Sequence, residues 1–305
     1  MKLNLRSRVP KGRMPFLAPV VVGLMGAAAH LAAPTAVSPG AGVPEGPEAM
    51  DPRPDLRSDP RVVAFLQAYG PLLDGVTFQG NDAVFTVGEH AIYFQDGRML
   101  GEDHLDETNR YDPFFYRYSL EPLREPPPPE DTPAQSTDVL EVLFGRTESE
   151  IRRNCESVTF LNRRLFVNTL AIEPLQAVEK EILAAAKQLP EVARWIEGLE
   201  IAFSFIDKGI AGSTSRSYHT WGLAVDLVPT SYDRKQVYWR WSRVFNREGW
   251  GRIPLTERWS PPLTVVEAFE RHGFVWGGKW AHFDTIHFEY RPEILAYNRM
   301  LAKDK

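Results

Sequence analysis

The sequence predicts an α+β fold, a small antiparallel sheet with flanking helices preceded by a small β-rich region, and three observations carry that prediction. First, residues 61–125 hold two runs, VTFQGNDAVFTV and HAIYFQDGRML, that alternate apolar and polar residues around Gly80-Asn81-Asp82 and Asp96-Gly97, the form of a β-meander. Second, beyond residue 138 helix-opening signals stand at Glu173-Pro174 and Ser260-Pro261, the latter segment stopping at Gly273. Third, β-type runs lie between and after them at Leu199 to Ile206, Leu223 to Val228 and Thr285 to Tyr290. Strands and helices in this order suit helices packed on one small sheet.

The chain opens with five basic residues (Lys2, Arg6, Arg8, Lys11, Arg13), an apolar run from Phe16 to Ala33 and then small residues. Residues 1–36 are therefore expected to be a signal peptide or a membrane anchor, which implies export to the periplasm or cell envelope. Cleavage after Ala29 or after Ala36 fits equally. Residues 37–60 are a Pro-rich linker, because Pro, Gly, Ala and acidic residues bury too little apolar surface to offset ordering entropy. Residues 61–125 form the accessory region, opened by a helical pattern at Val62, Val63, Phe65, Leu66 and Tyr69 and closed by the aromatic cluster Phe114, Phe115, Tyr116 and Tyr118, read as packing. A second Pro-rich linker, 126–137, leads to the main domain, 138–305.

Charge narrows the function. The 305 residues carry a formal charge of −5, with 35 basic and 40 acidic side chains, and all five charges of residues 1–36 are basic. The remainder is strongly acidic with no basic stripe, so nucleic acid is excluded as a partner, since phosphate binding needs clustered Lys and Arg. A membrane partner is expected only through an uncleaved N-terminal segment. Cys155, the single cysteine, rules out an internal disulfide and any cysteine-based metal cluster. It reads as a small buried hydrophobe rather than a nucleophile.

Chemistry concentrates in two stretches. In SRSYHTWGLAVDLVP, His219 precedes Gly222, where the chain can turn sharply, and Asp226 sits in an apolar strand on the same side as Ala224. A carboxylate buried there requires a partner, and a cation is the simplest one. In GFVWGGKWAHFDTIHFEY, His287 and Glu289 share a strand face, and Asp284 lies where the chain enters that strand. Two imidazoles and one carboxylate from these stretches leave a fourth position open, the arrangement of a catalytic rather than a structural zinc ion (Zn²⁺).

Ser217-x-His219-x-x-Gly222-x-Ala224-x-Asp226 followed by Asp284-x-x-His287-Phe288-Glu289 resembles the zinc D-alanyl-D-alanine carboxypeptidase family, which also holds VanY-type carboxypeptidases and L-alanyl-D-glutamate endolysins. The resemblance is strongest over the last hundred residues, extends back to about Asp138, and does not reach the accessory region. It implies zinc ligands at His219, Asp226 and His287 and a general base at Asp284. It further implies a zinc metallopeptidase acting on peptidoglycan stem peptides. Asp at position 284, the run Trp276-Gly277-Gly278-x-Trp280 and the ending His287-Phe288-Glu289 are similar to the endolysin branch. The family's upstream Arg, followed by Ser and later Gln, has no match in FSFIDKGIAGSTSRSYH, where Arg216 is the nearest cation and Lys208 the next.

Other residues carry two readings each. Glu289 either orients His287 as a neighbour of the ligand shell or replaces Asp284 as base. Ser217 either hydrogen-bonds near the site or serves the turn. Tyr218, Trp221, Trp276 and Trp280 either wall a groove or fill the core. His30, His90, His104 and His272 are set aside, and His282 either lines the cleft or is exposed. The alternative to an enzyme is a non-catalytic zinc-stabilised module that binds wall peptides, against which Asp284 argues.

Overall fold

The computed structural model describes residues 55–303, apart from 80–81, 96, 108, 129–133 and 207–214. The expected signal segment or anchor, most of the first linker, Lys208 and the tips of both meander turns lie outside the described residues.

The first helix, α1 (Pro60–Tyr69), starts where Asp59 caps it by accepting from the Arg61 backbone N–H, with Pro60 at a position whose own N–H is not needed. Four strands follow, β1 (Gly75–Gln79), β2 (Asp82–Val87), β3 (His90–Gln95) and β4 (Arg98–Gly101), paired antiparallel in chain order as the alternating runs predict. Their inner face carries Ala83, Phe85, Ile92, Phe94 and Met99, all buried. Two short strands, β5 (Tyr111–Asp112) and β6 (Ala134–Gln135), pair in parallel, and α2 (Asp138–Phe144) and α3 (Glu148–Arg153) come next.

A hairpin of β7 (Cys155–Phe160) and β8 (Arg163–Asn168) leads into the long helix α4 (Thr169–Ala186) and then α5 (Pro190–Glu197). Pro174 does not open α4 but lies inside it. The Asn168 side chain accepts from the Leu170 N–H and starts the helix a turn and more earlier.

The central sheet has the order β11-β12-β10-β9, built from β9 (Leu199–Phe203), β10 (Ala224–Pro229), β11 (Phe274–Trp276) and β12 (His287–Tyr290), all antiparallel. The helices α6 (Trp239–Phe245), α7 (Leu263–Arg271) and α8 (Pro292–Lys303) complete the chain. The antiparallel sheet with flanking helices and the β-rich N-terminal region are thus present, as the sequence patterns indicate.

Pro52–Lys305 is one compact unit. Side chains of α1 and the meander join the same buried cluster as those of α7, α8 and the central sheet. Tyr118 lies in that cluster too, with Phe114 and Phe115 packed edge-on to each other. Removing apolar surface from water stabilises by about 25 cal/mol per Å², and this shared burial is what chiefly holds the accessory strands against the remainder. No helix among the described residues is long and apolar enough to cross a membrane.

Candidate metal centre

The site is built at the meeting of β10 and β12. Their register puts Asp226 directly opposite His287. His219 arrives from a short 3-10 turn, Tyr218–Trp221, immediately before β10. That turn is closed at one end by Ser217, whose hydroxyl accepts from the His219 N–H, and at the other by Gly222 in the left-handed conformation, φ +66°. A Cβ on Gly222 would stand 2.8 Å from the Asn168 backbone nitrogen, so glycine is required here both by conformation and by space.

His219, Asp226 and His287 are all buried, and each offers a ligand atom within 4.8 Å of the others. His219 Nε2 lies 3.2 Å from His287 Nδ1 and 3.1 Å from Asp226 Oδ1, while His287 Nδ1 lies 2.7 Å from that same oxygen.

The outer nitrogens decide what these atoms are. His219 Nδ1 faces the Ser204 carbonyl at 2.5 Å, and a carbonyl can only accept, so the proton sits on Nδ1 and Nε2 presents a lone pair. His287 Nε2 faces Glu289 Oε1 at 3.0 Å and donates to that carboxylate, which leaves Nδ1 with its lone pair turned inward. Two lone pairs and one carboxylate oxygen therefore converge on the same small volume. Acceptors facing each other repel unless a cation or a proton stands between them.

A divalent metal fits this set. With metal–ligand distances of about 2.0–2.2 Å, three corners of a tetrahedron stand roughly 3.3–3.6 Å apart, so the two edges at His219 need to open by only a few tenths of an ångström and the 2.7 Å edge between His287 and Asp226 by somewhat more, within reach of small side-chain rotations. Without a metal a proton takes the position. Burial lowers the His287 pKa, but the Asp226 charge and the hydrogen bonds to Asp226 and Glu289 override it and hold it up at about 10. Burial likewise opposes ionisation of Asp226, yet His219 and His287 keep its carboxyl well below the usual carboxylate range.

Glu289 is in turn held by a further charge. Arg291, fully buried, places Nη1 3.7 Å from Glu289 Oε2 and donates through Nε to Glu293 Oε1 at 2.5 Å. Glu293 also accepts from the Tyr69 hydroxyl of α1 at 2.8 Å. A chain of charged and polar groups thus runs from the accessory region to the imidazole of His287.

Asp284 lies beside the cluster. Its backbone bridges to Tyr238 and its N–H donates to the Gly277 carbonyl at 3.0 Å. The phenols of Tyr232 and Tyr238 are raised first by burial and then by the charges of both Asp284 and Asp226, which puts the two carboxylates around the same pair of rings.

Arg216 is engaged elsewhere, donating to the Arg146 carbonyl at 2.9 Å with its guanidinium 4.9 Å from the Trp221 ring centroid. Tyr218 and Trp221 are core residues, whereas Trp280 is half-buried with its ring 5.6 Å from that of His287. His282 packs between Trp239 and Trp250. His104 pairs with Asp138, His272 pairs with Glu181, and His90 is exposed. The Cys155 thiol is pushed up to about 11 by burial, which keeps it protonated and unreactive at neutral pH.

Sequence reasoning did not find Ser204, Arg291, Glu293 or Tyr69. Ser204 acts through a backbone carbonyl and leaves no side-chain signal. The other charges do leave one, because His287, Glu289, Arg291 and Glu293 alternate at period two.

Fold and site together define a candidate mononuclear centre of two histidines and an aspartate, set on an antiparallel sheet. Residues 211–290 match the family described as D-alanyl-D-alanine carboxypeptidase, so the resemblance carried by the His219 and His287 stretches is shown over this segment. At the level of the family, the match supports a peptidase that acts on peptidoglycan. No solved structure matches the chain.

Proposed function

We propose that the protein is a zinc-dependent peptidase that hydrolyses an amide bond in peptidoglycan stem peptides, at a D-Ala-D-Ala terminus or at an internal L-Ala-D-Glu bond. The observation that carries this reading is the convergence of two imidazole lone pairs and one carboxylate oxygen, within 4.8 Å of one another, on three buried side chains. His219, Asp226 and His287 would hold the ion, with Glu289 and the Ser204 carbonyl fixing the orientation of the two imidazoles and Ser217 closing the turn that delivers His219. Zinc there would supply Lewis acidity toward the scissile carbonyl and toward water.

Asp284 is the base in this reading. Its carboxylate takes a proton from the attacking water and returns it to the departing amine. Arg216, three residues before His219, is the nearest cation in sequence for a substrate carboxylate, and one of its nitrogens, Nη1, is already engaged with the Arg146 carbonyl. Export to the cell envelope is part of the proposal, supported by the basic and then apolar opening of the chain.

Digestion of defined stem peptides, with products identified by mass, tests the reaction and names the bond. Metal content of the purified protein, compared with His219→Ala, tests the site. Loss of both metal and turnover in that variant supports the assignment, whereas full hydrolysis by it would sink the ligand set. Unchanged peptide masses together with measurable binding would favour a wall-binding module instead.

A further inference from the structure

The three most exposed large apolar side chains among the described residues gather on α6: Phe245 is 85 % exposed, Val244 73 % and Trp241 56 %. Single exposed apolar residues are ordinary, but three on one seven-residue helix form a patch. The patch is also basic. Residues 234–252 carry Arg234, Lys235, Arg240, Arg243, Arg247 and Arg252 against one acidic residue, Glu248, in a protein whose overall charge is −5. Arg243, Arg247 and Arg252 are exposed.

This patch adjoins the segment that carries Asp284. The Trp239 N–H donates to the Phe283 carbonyl at 2.9 Å, and the Tyr238 backbone bridges to Asp284, so the segment entering α6 is stitched to the proposed base. Trp241 stands edge-on to Tyr238 with ring centroids 5.8 Å apart. From Asp284 the surface therefore leads through Tyr238 to Trp241 and outward to Val244 and Phe245.

We propose that α6 and its flanking arginines form a docking surface for the anionic glycan–peptide polymer of the wall, engaging segments next to the peptide being cut. The inference rests on the peptidase reading above for the identity of the polymer. Its carboxylates suit the guanidinium groups, which bind such groups in bidentate fashion. The apolar faces of its sugar rings suit the flat surfaces of Trp241 and Phe245. A lipid surface shares the anionic and apolar character, but the patch adjoins the segment that carries the proposed base, where a polymer being cut brings its own neighbouring units. Two linked contacts on one polymer raise its apparent affinity without any change at the metal centre.

The test compares the full chain with the triple variant Val244→Ser/Phe245→Ala/Arg243→Glu, all three positions being exposed. Co-sedimentation with purified peptidoglycan sacculi is expected to weaken by at least about tenfold, while hydrolysis of a soluble stem pentapeptide stays within about twofold of the parent, since none of these groups contacts the ligand cluster. Sacculus binding by the parent is expected to fall as salt rises, because exposed arginines are screened. Sedimentation unchanged in the variant would overturn the proposal. So would loss of binding confined to phosphatidylglycerol vesicles, which would identify a membrane as the occupant. If the parent leaves the pentapeptide uncut while the variant still loses sacculus binding, the peptidase reading fails and the docking surface stands. Should the triple variant lose its thermal transition, Phe245→Ser alone carries the same comparison.

Discussion

The Tyr69 hydroxyl donates to Glu293 at 2.8 Å across a separation of 224 residues, inside a fully buried pocket that also holds Arg291. Glu293 and Glu289 flank the same guanidinium, and Glu289 holds the outer nitrogen of His287. The accessory region therefore supplies part of the electrostatic support of His287, a candidate metal ligand. Removing the hydroxyl in Tyr69→Phe leaves a buried carboxylate one donor short, which costs about 1.5–3 kcal/mol for a bond to a charged group. The expected result is a thermal midpoint lowered by several degrees. A midpoint equal to that of the parent would show that the contact contributes nothing net.

The three residues that converge are legible in the sequence chiefly through the spacing that resembles a known family, Ser217-x-His219-x-x-Gly222-x-Ala224-x-Asp226 and Asp284-x-x-His287-Phe288-Glu289; the residues alone offer two imidazoles and a carboxylate without choosing among the acidic groups. Long-range register is not legible there. Nothing in either stretch says that Asp226 lies opposite His287, since that pairing is set by how β10 and β12 meet. The β7–β8 hairpin is hidden because its turn uses Leu161 and Asn162 at positive φ, 46° and 62°, where a glycine signal would be expected. The start of α4 is misplaced from sequence because Pro174 is a stronger mark than the Asn168 cap that begins the helix.

Glu289→Gln tests the support of His287 at closer range. The amide retains size and one acceptor but loses the charge that draws the imidazole proton outward, so zinc affinity is expected to fall by about 10–100-fold. Competition against a chromophoric chelator reads this directly. Retention of parental affinity would mean that Glu289 packs against the ligand without orienting it.

Metal binding should depend on pH through His287. In the metal-free protein its pKa is raised to about 10 by Asp226 and Glu289 against burial, so at pH 7 the ring is protonated and an incoming ion must displace a proton. The metal-free fold gains from this charge fully below the ordinary imidazole pKa of about 6.5, and the gain is lost as pH rises through about 10. Zinc binding at pH 7 is expected to release about one proton per ion and to tighten as pH rises toward 10. Titration calorimetry in two buffers of different ionisation enthalpy measures the release, and a binding heat independent of buffer would contradict it.

Gly222→Ala probes the turn that delivers His219. The added Cβ meets the Asn168 nitrogen at 2.8 Å and the residue must still hold φ +66°, with the left-handed conformation alone costing about 1–2 kcal/mol. The variant is expected to melt several degrees lower and to bind zinc more weakly than the parent, because the same strain displaces His219. Unchanged melting and metal content would indicate that the turn relaxes freely.

Asp284→Asn separates chemistry from metal binding. The side chain is not among the three atoms that converge, and its backbone is fixed independently by Gly277 and Tyr238, so the variant should keep its metal and its thermal midpoint. An amide cannot take a proton from water, and loss of a general base typically costs about 10²–10⁴ in rate. Turnover of a cleavable stem peptide should fall by that factor while metal stoichiometry stays that of the parent. If Asp284→Asn hydrolyses peptide at the parental rate and Glu289→Gln is the variant that loses turnover with its metal retained, the base is Glu289, and the carboxylate beside His287 rather than the one at the strand entrance handles the proton.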